Sequence, residues 1–139
     1  MTQITRQVEI AAPLEKVWAH IDPKNWTKTF TFVKAVDGHT DGTPGVGTQA
    51  TIEAGEGGAI VKYNIEITEF LEKEKIEYRR YGGPLPGKGS MRLKPLQNYP
   101  VFSRTSYYED DLSEETIQTL SAGMERDNQK LKRLVEEGK

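Results

Sequence analysis

Cysteine is absent from the chain, which removes disulfides, thiolate zinc sites and cysteine nucleophiles together. Histidine is nearly as scarce: His20 and His39 stand alone, with no His-x-x-x-His or His-Glu spacing, so no metal site is expected. A Gly-x-Ser-x-Gly elbow is also missing, and a serine triad is discounted with it. No apolar run approaches the ~20 residues of a bilayer span, and the opening MTQITRQVEI lacks the charged-then-apolar build of a signal peptide. A cytoplasmic protein that does not span a membrane is therefore expected. Nor is one sign of charge in excess: the net charge is −2, with basic residues dispersed among acids, and nucleic acid is not an expected partner. Redox chemistry would need a bound cofactor, and the sequence signals none.

What is present organises itself around the last stretch, Leu112 to Gly138. Ser113 is a good N-cap, Glu114 and Glu115 complement the positive end of the helix dipole, and Leu112 can staple onto Ile117. At helical spacing Ile117, Leu120, Met124, Leu131 and Val135 share one stripe, with Ser121 and Asn128 as polar intruders and Gly123 on its flank. At ~1.5 Å per residue the helix runs roughly 35 Å, longer than the ~29 Å expected across a domain of this size. With 139 residues there is room for a single domain over 1–139 and one core.

Upstream, residues 4–10 read as a strand ended by Ala11-Ala12-Pro13, and Leu14, Val17, Trp18 and Ile21 follow as a helix of about two turns. Asp22-Pro23 stops it and can cap a second short helix reaching Trp26 or Thr29. Residues 31–37, 46–54, 59–70, 74–82, 89–96 and 101–110 are rich in β-formers and separated by turn residues, so seven strands are expected. Short loops and the lack of crossover helices require antiparallel pairing. On the third of these stretches Val61, Tyr63, Ile65 and Ile67 share the core face. Only the final helix looks long enough to cover so wide a sheet, which must curl round it and leave a gap.

Several pieces in order resemble the START-like, or SRPBCC, superfamily, in particular its polyketide cyclase/dehydrase-like branch. They are Val8 through Trp18, Asp22 to Trp26, Gly45-Val46-Gly47-Thr48, Tyr78-Arg79 with Gly82-Gly83, Leu93-Lys94-Pro95, and Gly123 through Glu136. The resemblance implies an α+β helix-grip fold: a seven-stranded curved antiparallel sheet, two short helices after the first strand and one long C-terminal helix across the concave face. It also implies a hydrophobic or amphipathic small molecule, lipid- or polyketide-like, held between sheet and helix, with cyclase or dehydrase chemistry in some members. Other members are partners of a heat-shock chaperone, so a protein-interaction module is the rival expectation.

The residues themselves nominate a cavity lining. Trp18, Trp26, Phe30, Tyr63, Tyr78 and Tyr107 are many rings for a small core, and Met91 shares a face with Leu93. In Tyr78-Arg79-Arg80-Tyr81 alternation sends Arg80 to the face of Ile76 and Tyr78, where its charge would need an acid or an anionic head group. Met124 and Asn128 are the helix candidates. On the stretch 101–110 the inward set is open: Val101, Ser103, Thr105 and Tyr107, or Phe102, Arg104, Ser106 and Tyr108. Gly82-Gly83-Pro84-Leu85-Pro86-Gly87 has the make-up of a lid or of a plain connection, and Ala54-Gly55-Glu56-Gly57-Gly58 reads as a hairpin turn rather than a phosphate loop. No catalytic residue stands out, so enzyme versus carrier is open, as is monomer versus homodimer.

Overall fold

The computed structural model describes residues 1–30, 32–37, 44–56, 59–96 and 99–138, without the side chains of 54–56, 59 and 60. His39 and the turn residues Gly38, Gly57, Gly58, Gln97 and Asn98 lie outside them.

Alternation and turn chemistry produce β1 (Thr2–Glu9), β2 (Val33–Asp37), β3 (Gln49–Glu56), β4 (Ala59–Leu71), β5 (Lys75–Tyr81), β6 (Gly87–Lys94) and β7 (Val101–Tyr108). They form one antiparallel sheet in the order β1-β7-β6-β5-β4-β3-β2. Consecutive strands pair from β2 to β7, and only β1 comes from far away, its Thr2 opposite Tyr108. A register shift between Ile67 and Glu69 breaks the alternation of β4, so Phe70 returns to the core beside Ile76.

Helix α1 (Leu14–Ile21) opens after Pro13, and the Asp22 side chain accepts from Lys24 N–H to start a 3-10 turn, Pro23–Asn25, that leads into α2 (Trp26–Thr29). The last helix, α3 (Glu114–Glu137), starts at Ser113, whose hydroxyl accepts from Thr116 N–H at 3.2 Å. Gly138 ends it in an extended conformation rather than a left-handed one.

This is a helix-grip architecture, with one refinement of how the sheet is covered. Helix α3 follows the β1 side of the concave face: Arg6 pairs with Glu125, Lys132 donates to the Glu9 carbonyl, and Ala11 N–H donates to Glu136. The rest is covered by the short helices, through Trp18, Ile21, Trp26 and Phe30 packed with Val33, Ile52, Ile65 and Ile67. Two apolar clusters result. The larger contains those residues with Leu131 and Val135; the smaller joins Ile4, Tyr108 and Met124 with Leu85, Leu112, Ile117 and Leu120.

Candidate functional site

A cavity of about 20 Å³ lies beneath α2 at the middle of the sheet. Trp26 and Phe30 reach it from α2 and its C-cap, Phe32 and Val33 from the entry to β2, and Ile52, Tyr63 and Ile65 from β3 and β4. Tyr78, Met91 and Arg104 complete it from β5, β6 and β7. Each strand contributes inward positions of its alternation, and the Trp26 ring is anchored by donating to the Ile21 carbonyl. The volume holds about one water molecule, so anything larger needs side chains to part.

Two of the wall residues also form a partition. Phe30 and Phe32, with ring centroids 5.4 Å apart, line both this cavity and a second depression that Thr29, Asp127, Lys130 and Leu131 complete between α2 and α3.

Arg104 is the one charged side chain lining the inner cavity among the described residues. Phe102, Arg104, Ser106 and Tyr108 are the inward set of β7, which answers the choice the alternation left open. The Arg104 guanidinium donates to Asp127 Oδ2 at 3.1 Å and lies 5.6 Å from the Phe32 ring. Burial opposes its charge, but Tyr78, the Asp127 carboxylate and Tyr63 outweigh that and hold its pKa above the ordinary arginine value. Arg6 stands directly opposite on β1 and finds Glu125 at 3.3 Å, so two neighbouring arginines meet two acids from one stretch of α3. The Tyr63 phenol is pushed up to about 12, chiefly by burial and next by Tyr78, while Arg104 and Arg80 pull the other way. At neutral pH it is therefore a hydrogen-bond donor rather than a base.

Of the ten residues nominated by sequence, Trp26, Phe30, Tyr63, Tyr78 and Met91 meet at this cavity. Trp18 is buried against Phe70, edge to face at 5.8 Å, and its indole Nε1 has no hydrogen-bond partner among the described residues. Arg80 points inward as its alternation requires, yet its guanidinium is spent on the Leu85, Lys88 and Tyr107 carbonyls and on Ser106 Oγ, and it stacks 4.5 Å over Tyr108. Tyr107 occupies the opposite, convex face, 5.2 Å from Lys88 Nζ. Met124 belongs to the smaller cluster, because α3 carries it over Ile4 and Tyr108. Asn128 is only 3% exposed, and neither amide atom has a hydrogen-bond partner among the described residues.

The sequence reading missed Phe32, Val33, Ile52, Ile65 and, above all, Arg104 as cavity residues. The connection 82–87 holds Leu85 at a left-handed φ of 59° with its side chain in the smaller cluster. His20 is half-buried on α1, with Nδ1 3.1 Å from the Lys16 carbonyl oxygen, and does not line the cavity. No cluster of metal-ligating side chains occurs among the described residues.

Residues 1–136 match the family described as polyketide cyclase / dehydrase and lipid transport. The chain belongs to that family. No curated protein sequence matches it. Among solved structures, this family member is similar to DynU16 of the dynemicin biosynthetic locus, with a TM-score of 0.77, 18% identity, and coverage of 99% of this chain and 48% of that one. It thus spans about half the length of DynU16. A START superfamily protein from Mycobacterium smegmatis gives a TM-score of 0.74 at 14% identity, covering 97% of each chain. The Aha1 dimer from Colwellia psychrerythraea gives 0.72 at 18% identity, covering 100% of this chain and 99% of that one. At these identities the likeness concerns the fold, the START-like helix grip. No helix among the described residues is long and apolar enough to cross a membrane.

Proposed function

We propose that this protein binds a small amphipathic molecule between the concave sheet and its helical cover, entering between α2 and α3. The observation that carries the reading is the cavity itself: an aromatic and aliphatic wall with a single cation, sharing Phe30 and Phe32 with a second depression between α2 and α3. The family description and the START-like neighbours support it. A volume near 20 Å³ makes binding an opening event, in which the rings of Phe30 and Phe32 swing and the cavity merges with the depression. Catalysis, where a bound molecule undergoes it, would rest on positioning and on donation from Tyr63 and Arg104.

Native mass spectrometry of the purified protein, followed by solvent extraction, tests the reading. A co-purified amphiphile, or saturable uptake of an environment-sensitive apolar dye that Phe32→Ala alters, is the expected result. A protein that carries nothing and takes up no dye would remove it. The second reading, a protein-interaction module, is favoured by the exposed side chains of Leu71, Leu96 and Tyr99 near the β4–β5 and β6–β7 connections, away from the α2–α3 mouth. Absent ligand together with a stoichiometric protein partner lost in Leu71→Ser would select it.

A further inference from the structure

We propose that the ligand of this cavity carries a carboxylate, and that this carboxylate takes the place of Asp127 on Arg104; the inference rests on the binding reading above. The exchange follows from an asymmetry within the ion pair. Arg104 is 14% exposed, inside the cavity wall, whereas Asp127 is 37% exposed and lines the second depression. A buried guanidinium must keep a counter-charge, but a half-exposed carboxylate is readily returned to water. Swapping one carboxylate for another therefore preserves the neutrality of the interior while Asp127 is rehydrated.

The geometry suits that exchange. The contact to Asp127 runs from Nη1 to Oδ2, one arm of a planar fork with five donors, so a ligand carboxylate can engage it in two-pronged fashion from the cavity side. Tyr63, protonated across the neutral range, supplies a phenolic donor in the same wall. Arg6, across from Arg104 on β1, adds positive potential, balanced by Glu125 at 3.3 Å. One cation inside, with Glu125 and Asp127 nearby on α3, favours a monoanion over a dianion such as a phosphate monoester. The rest of the wall, Trp26, Phe30, Met91 and their neighbours, takes an aromatic or alkyl body. Because the same ion pair ties β7 to α3 beside the Phe30 and Phe32 partition, displacing Asp127 loosens the closure, and ligand binding and opening become one event.

Dansylaminoundecanoic acid and its methyl ester, bodies alike but for the charge, test the idea on the full chain by fluorescence titration at neutral pH. The acid should bind at least tenfold tighter than the ester. Asp127→Asn, which removes the internal competitor at a half-exposed position, should tighten the acid about three- to tenfold and leave the ester unchanged. Arg104→Gln should bring the acid down to the affinity of the ester. Equal binding of acid and ester to the wild type overturns the carboxylate inference while leaving the binding site in place, and it does so without relying on any variant. Equal weakening of both probes by Asp127→Asn also overturns it. If neither probe binds and no amphiphile co-purifies, the binding reading itself fails.

Discussion

The ring of Tyr78 lies over Gly89, its cross-strand partner, so closely that a Cβ on Gly89 would come within 2.5 Å of the phenol. Glycine is thus what lets Tyr78 lie flat across β6 and form the cavity wall. Gly89→Ala should push the ring toward the cavity, with a destabilisation of ~1–3 kcal/mol typical of overpacking. Urea unfolding together with dye uptake checks this. Unchanged stability and uptake would show that the ring moves aside freely.

Tyr63 gives an alkaline signature. Its folded-state pKa of about 12 lies above the ordinary 10.0, so the protonated phenol is favoured by the fold. That contribution is complete below pH 10 and disappears as the pH rises through 12. Between pH 8 and pH 11 the wild type should lose ~1.4 kcal/mol more unfolding free energy than Tyr63→Phe. Parallel losses in the two proteins would place the phenol in contact with water.

Asn128 offers a stability gain. Its buried amide has no partner among the described residues, and replacing such a group with an apolar one of similar shape removes a desolvation cost of ~1–3 kcal/mol. Asn128→Leu should raise the melting temperature by roughly 3–5 °C per kcal/mol for a chain of this size. A variant that is less stable, or that loses a co-purified molecule, would assign the amide a partner in solution.

Met124→Ala separates the two apolar clusters. Its side chain packs with Ile4 and Tyr108, so truncation should cost ~2–5 kcal/mol while uptake of an apolar dye at the α2–α3 mouth stays as in the wild type. Increased uptake would mean that the smaller cluster communicates with the cavity.

The seven strands, their antiparallel pairing and the last helix were legible because each rests on local chemistry: Ser113 capping Thr116, alternation through Val61 to Ile67, and short turns between neighbours. The cavity was legible only in part. Tyr63, Tyr78 and Met91 follow from alternation within their strands, but β7 presents an aromatic and a hydroxyl on each face, Tyr107 with Ser103 on one and Phe102 with Ser106 on the other. Its side is decided by pairing with β1, a hundred residues away, which no local pattern encodes. Arg104 was hidden for that reason. Met124 and Asn128 were aimed at the cavity on the assumption that α3 alone covers the sheet, whereas α1 and α2 take the β2–β4 half and α3 the β1 half.

The pairing of β1 with β7 also dictates an order of assembly. Thr5 reaches Thr105, 100 positions further along the chain, and Lys16 reaches the Gly138 carbonyl 122 positions further along. At ~5–20 residues per second of synthesis, β1 waits ~5–20 s for its partner, while the meander from β2 to β6 can zip hairpin by hairpin. Until α3 emerges, Ile4 and the β1 half of the concave face lack the helix that covers them, and until β7 emerges β6 is the bare edge of the growing meander. Contacts this distant in sequence make for slow folding, and the β1 half of the sheet stays uncovered for that interval.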